Sequence, residues 1–202
     1  MAVRPVPYLN PEEYLERERA AEYKSEYYNG QAFAMSGASR EHNLISNNVA
    51  GELRARLKGR PCETYGSDMR VQIRETGAYV YPDVVVVCGE PRFADAHVDT
   101  LLNPVVVVEV LSPSTERGDR GEKFAHYRRL ESLREYVLIS QDQRRVEKFT
   151  RRNDSGEWVF TEVSDADGAL RLDSLDLELP LAEIYDRVTF AEPSDTASPP
   201  TT

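Results

Sequence analysis

Along the chain, apolar and polar positions alternate with two periods. From residue 38 to 58, Ile45, Val49, Leu53 and Leu57 return every fourth position, the stripe of an amphipathic helix. A shorter helix is expected over 11–23, PEEYLERERAAEY, with Pro11 placed for a first turn. Between them Asn29-Gly30 stands among aromatic residues, the signal of a hairpin. After Gly59-Arg60-Pro61 the pattern turns to strands, expected near 61–66, 68–74, 79–87 and 105–111, with breaks at Gly77 and Asn103-Pro104 and a loop or short irregular element over 90–103. A second helix is expected over 119–130. REYVLIS and RRVEKFTR then read as strands, followed by weaker ones at 157–163 and 169–172, and PLAEIYDRV as a short closing helix. The Pro-rich stretch 191–202 is expected to be disordered.

This order predicts an α/β protein, a mixed sheet flanked by helices, in one domain over residues 1–190. The regular βαβ alternation of a dinucleotide fold is missing, as are GxGxxG and GxxxxGK[ST] loops. No apolar run approaches a membrane span and residues 1–14 hold no signal-peptide core, so a cytoplasmic protein without membrane contact is expected. Cys62 and Cys88 lack CxxC spacing and are expected to be buried thiols outside any disulfide framework. His42, His97 and His126 lack the spacing of a histidine metal site. A net charge of −10 argues against a uniformly basic nucleic-acid binder, although basic residues crowd 54–60, 117–134 and 144–152.

Charge matters most inside the valine runs. YPDVVVVCG and PVVVVEVLSPST each read as a strand buried on both faces, and each carries one acid, Asp83 and Glu109. A buried carboxylate is costly unless something offsets its charge. If the two strands are neighbours, one register brings both acids to the same side, where they repel unless a cation lies between them. Mg²⁺ or Mn²⁺ is the natural compensator, with the Val110 carbonyl as a further oxygen. Asp119, Lys123 and Tyr127 then follow at helical spacing, so a helix packed over the strand ends would bring Lys123 to the same place. Two acids, a lysine and a divalent ion are the parts of metal-assisted phosphodiester hydrolysis. Plainer readings exist for each. Asp119 and Lys123 form an ordinary i,i+4 ion pair, and Asp119 with Glu122 a capping box. Ser112 and Ser114 suit a helix start better than a nucleophile, because no acid–histidine pair is spaced to serve them.

Pro82-Asp83, Glu109-Val110-Leu111-Ser112-Pro113-Ser114-Thr115, Asp119-x-x-x-Lys123-x-x-x-Tyr127 and Glu135-Tyr136-Val137-Leu138, with Asn29-Gly30-Gln31, Met35-Ser36-Gly37-Ala38-Ser39 and His42 before them, resemble the Uma2 family (DUF820) of the PD-(D/E)xK restriction-endonuclease-like superfamily. The likeness covers roughly residues 10–150. It implies a restriction-endonuclease-like core, Asp83 and Glu109 in the metal-binding positions, and metal-dependent cleavage of DNA, with RNA as an open alternative. The superfamily's lysine position, two residues after the second acid, holds Leu111 here; Lys123 is the expected substitute. An early acid often joins such sites, and of Glu26 and Glu41 the former is preferred for its place beside the hairpin. The alternative is a non-enzymatic divalent-metal-binding or protein-interaction module on the same fold; either allows a homodimer.

Overall fold

The computed structural model describes residues 8–152 and 156–190; the tail expected to be disordered lies outside them. Helix α1 (Pro11–Ala20) opens with a capping box: the Asn10 side chain accepts from the Glu13 N–H, and Glu13 accepts from the Asn10 N–H. The hairpin pairs β1 (Ser25–Tyr28) with β2 (Gln31–Ala34). Asn29 and Gly30 take positive φ of 47° and 79°, the two-residue turn that fits the twist of a hairpin. Helix α2 (Arg40–Arg56) starts at Ser39, whose hydroxyl accepts from the His42 N–H, and buries Ile45, Val49 and Leu53.

The main sheet has six strands in the order β11-β10-β9-β8-β6-β3. These are β3 (Cys62–Gly66), β6 (Val84–Cys88), β8 (Val106–Leu111), β9 (Glu135–Ser140), β10 (Val146–Arg152) and β11 (Glu157–Val163). Only β8–β9 is parallel. A second sheet runs β2-β1-β5-β4-β7, adding β4 (Arg70–Ile73), β5 (Ala78–Val80) and β7 (Thr100–Leu101). The pair β12 (Ala169–Leu172) and β13 (Leu177–Pro180) precedes α5 (Leu181–Ile184).

Every position of β8 and the first four of β6 are buried, which is why these strands are valine-rich rather than alternating. One face, with Val84, Val86, Val106 and Val108, packs against α2, β12, β13 and α5. The other, with Val85, Val87, Val107 and Leu111, packs against the second sheet and against Tyr127, Leu130 and Leu133.

Three expectations are corrected. The single strand expected over 79–87 is two, β5 and β6, in different sheets; Pro82, which has no N–H to donate to a ladder, lies at the break. The helix expected from Asp119 begins earlier, as α3 (Glu116–Gly118), passes through a π turn (Asp119–Lys123) and ends as α4 (Phe124–Tyr127). Asp119 is therefore inside the helix, not its cap. Cys62 and Cys88 are not free thiols but a disulfide, with Cα atoms 4.0 Å apart. They stand opposite each other in the β3–β6 ladder, a register that their 26-residue separation conceals.

Candidate active site

The sheet brings the two expected acids together. Val84 pairs with Val108 in the antiparallel β6–β8 ladder, so the next residues outward, Asp83 and Glu109, face one another. Side chains alternate along a strand, and both acids fall on the face of Val85 and Val107, turned toward the second sheet. Asp83 lies just before β6, where its Oδ2 accepts from the Val110 N–H at 2.7 Å and its Oδ1 lies 2.8 Å from His42 Nε2. His42 stands in the first turn of α2, so the helix cap that positions the backbone also positions the ring.

Glu109 is 3% exposed. Its Oε1 accepts from the Tyr127 hydroxyl at 2.9 Å and lies 3.0 Å from Lys123 Nζ. Lys123 reaches Glu26 Oε1 at 2.9 Å and Asp119 Oδ1 at 3.6 Å. Glu26, on β1, is held from both sides: Oε1 accepts from the Tyr81 N–H at 3.1 Å, and Oε2 from the Tyr28 hydroxyl at 2.9 Å. Glu41 instead pairs with Arg40 on the surface. The structure thus gathers Glu26, Glu109 and Lys123, sets Asp83 opposite Glu109, and leaves Glu41 out. Val110 enters through its N–H. Asp119, read from the sequence as a cap or a surface ion pair, is buried and faces Lys123. The signal was its i,i+4 spacing, which does not distinguish a surface pair from a buried one.

Three carboxylates therefore share one ammonium, with Asp83 a fourth acid opposite Glu109. Burial raises the proton affinity of Glu109 well above the ordinary carboxylate range, and Asp119, Asp83 and Glu26 raise it further against the opposing pull of Lys123. Burial raises Asp119 as well. For Lys123, burial alone would favour the neutral amine, but Glu109 and Glu26 overcome it and hold the lysine protonated. The unbalanced negative charge favours uptake of a proton or another cation.

The donor chemistry fits a hard divalent ion, since all four acids offer oxygen. Among the described residues, no three His, Cys, Asp or Glu side chains are grouped so as to hold a metal by themselves. Two carboxylates completed by water and phosphate is the arrangement that Mg²⁺ commonly accepts. Space for a substrate exists: the cluster opens into a cleft of about 890 Å³, whose wall runs from Phe33 on β2 past Ser39 and His42 to Ser112, Ser114 and Gln141.

Comparison with known proteins agrees with this architecture. A family model, Uma2, described as "Putative restriction endonuclease", matches residues 11–182. The "Uncharacterized protein slr1290" of Synechocystis sp. (strain ATCC 27184 / PCC 6803 / Kazusa) is 38% identical over 186 residues, 92% of this chain and 96% of its own length. The "Uncharacterized protein sll1609" of the same organism is 39% identical over 163 residues, 81% and 92% of the two lengths. A crystal structure of "a putative nuclease belonging to DUF820" from Anabaena variabilis ATCC 29413 superposes with a TM-score of 0.71 at 16% identity, covering 90% of this chain and 99% of that one. The fold is the restriction-endonuclease-like one, a mixed sheet flanked by helices, and the chain belongs to the Uma2 family.

Proposed function

We propose that the protein is a metal-dependent endonuclease that hydrolyses DNA phosphodiester bonds in the cleft. The observation carrying this reading is the convergence of Glu109, Glu26 and Asp119 on Lys123, with Asp83 set opposite Glu109 across the β6–β8 ladder. Asp83 and Glu109 would hold Mg²⁺ or Mn²⁺, with the Val110 carbonyl as a further oxygen. Such an ion supplies Lewis acidity toward phosphate and makes its bound water a nucleophile near neutral pH.

The chain's own groups supply the rest. His42 and the Val110 N–H fix the Asp83 carboxylate by using both its oxygens. Tyr127, packed on the same face of the sheet, fixes Glu109 by donating to its Oε1. Lys123, protonated and braced by Glu26, offers N–H bonds to an attacking water or to the oxygen on which charge develops. This is the role that Leu111, an apolar side chain at the superfamily's usual lysine position, does not perform.

The test is to incubate purified protein with supercoiled duplex and circular single-stranded DNA in Mn²⁺. Cleavage of either form, lost on adding EDTA and in Asp83→Asn and Glu109→Gln, is the expected result. Cleavage that persists in both variants contradicts the assignment.

A second reading is favoured by Lys123's contacts with three carboxylates. There the cluster is a buried ionic brace on an inherited nuclease fold, which serves as a protein-interaction module. It expects no cleavage of any polynucleotide.

A further inference from the structure

Among the described residues, Phe33 is the one large apolar side chain left exposed in the cleft beside the acid cluster. All four residues of β2 are exposed, Phe33 at 51%. In the β1–β2 ladder Phe33 stands directly opposite Glu26, so both side chains project from the same face, and Glu26 touches Lys123. The ring lines the same cleft as Asp83 and Glu109. Its aromatic neighbour, Tyr28, lies 6.0 Å away by ring centroid and is itself tied to Glu26. An exposed aromatic face one cross-strand step from Glu26, in the same cleft as the acids, is a platform on which a base can stack.

The charges around the cleft indicate which form of DNA would use it. Duplex binding rests on many lysine and arginine contacts to two phosphate backbones. Among the described residues no arginine lines the cleft; its lysines are Lys24 and Lys123, and Lys123 is held by Glu26, Glu109 and Asp119. Lys24, on the cleft wall, is paired with Asp68. The wall offers hydroxyls and amides instead, from Ser39, Ser112, Ser114 and Gln141. Stacking with neutral hydrogen bonding suits unpaired bases, whose faces are open. A base inside a duplex has no free face to offer Phe33.

We infer that the substrate is DNA with an unpaired stretch at the scissile bond, and that the base beside the reacting phosphate stacks on Phe33, a specificity-determining residue. This rests on the nuclease reading above. The test is fluorescence anisotropy in Ca²⁺ with a short labelled single strand, its duplex, and the same strand carrying abasic sites, using wild type, Phe33→Ala and Phe33→Trp. Because Phe33 is exposed, each variant is expected to keep the wild-type urea midpoint. Wild type should bind the single strand at least about 10-fold more tightly than the duplex. Phe33→Ala should lose about 5- to 100-fold on the single strand, and Phe33→Trp should retain the affinity. On the abasic strand wild type and Phe33→Ala should bind alike. Equal or tighter duplex binding overturns the inference, as does an undiminished Phe33→Ala loss on the abasic strand. Acid-dependent cleavage indifferent to Phe33 removes the inference and leaves the nuclease reading; no binding and no cleavage of any DNA removes both.

Discussion

Glu109 takes up a proton more readily in the folded chain than in the unfolded one, because burial and its acidic neighbours penalise its charge. Asp119 shares the direction. A carboxyl with a raised folded pKa binds more protons folded than unfolded between the two values, so stability falls as pH rises from about 4 through the folded pKa. The protein is therefore expected to lose stability over that window, and Glu109→Gln to make the loss shallower. Urea midpoints against pH measure it, and parallel profiles for the two proteins would contradict the account. Lys123 has the same sign of linkage at higher pH: its contribution is present below its ordinary unfolded value and disappears as pH rises through its raised folded pKa. His42 acts through Asp83. His42→Asn should raise the Mn²⁺ concentration for half-maximal cleavage by about 10-fold or more, the usual cost of losing a group that orients a ligand. An unchanged metal dependence would remove His42 from the site. The acids in the valine runs were legible from the sequence because buried strands rarely carry charge. Asp119 was not, because helical spacing does not reveal what a helix faces.

Among the elements, the clearest contrast to the proposed site is another buried ion pair. Lys148 on β10 pairs with Glu135 on β9 at 3.0 Å, and Glu135 is fully buried. Glu135 also accepts from the Asp173 and Ser174 N–H groups at 3.0 and 3.1 Å. This clamp ties the turn between β12 and β13 to the main sheet. The Glu135 carboxylate is satisfied by Lys148 and by backbone donors, so its role is structural. Lys148→Met should cost about 3–5 kcal/mol by stranding a buried carboxylate, with specific activity per folded molecule unchanged. A loss of activity without loss of stability would contradict that division. The hairpin and α2 were legible because Asn-Gly and a fourfold stripe are local signals. The split between β5 and β6 was not: the apolar pattern runs through Tyr81 and Pro82 without a gap, and the change of sheet depends on long-range pairing. The π turn was hidden likewise, since it interrupts hydrogen bonding rather than residue type.

For the whole molecule, the sequence order of elements conveyed the mixed sheet but not which strands share it. The Cys62–Cys88 bond illustrates this, for only the β3–β6 register brings the two residues together. Disulfides persist mainly in oxidising surroundings, which sets this bond against the expected cytoplasmic location. Thiol titration should find no free thiol before reduction and two after. Cys62→Ser with Cys88→Ser should cost about 2–4 kcal/mol by chemical denaturation; thiols free at the outset would contradict the pairing. Among the described residues, no helix is long and apolar enough to cross a membrane. The account's central claim, that acids from separate strands serve one divalent ion beside Lys123, is tested most directly by the anomalous scattering of Mn²⁺ soaked into crystals of the protein. The expected result is a peak within coordinating distance of both Asp83 and Glu109; a cleft empty at saturating Mn²⁺, or an ion bound away from these two side chains, would contradict it.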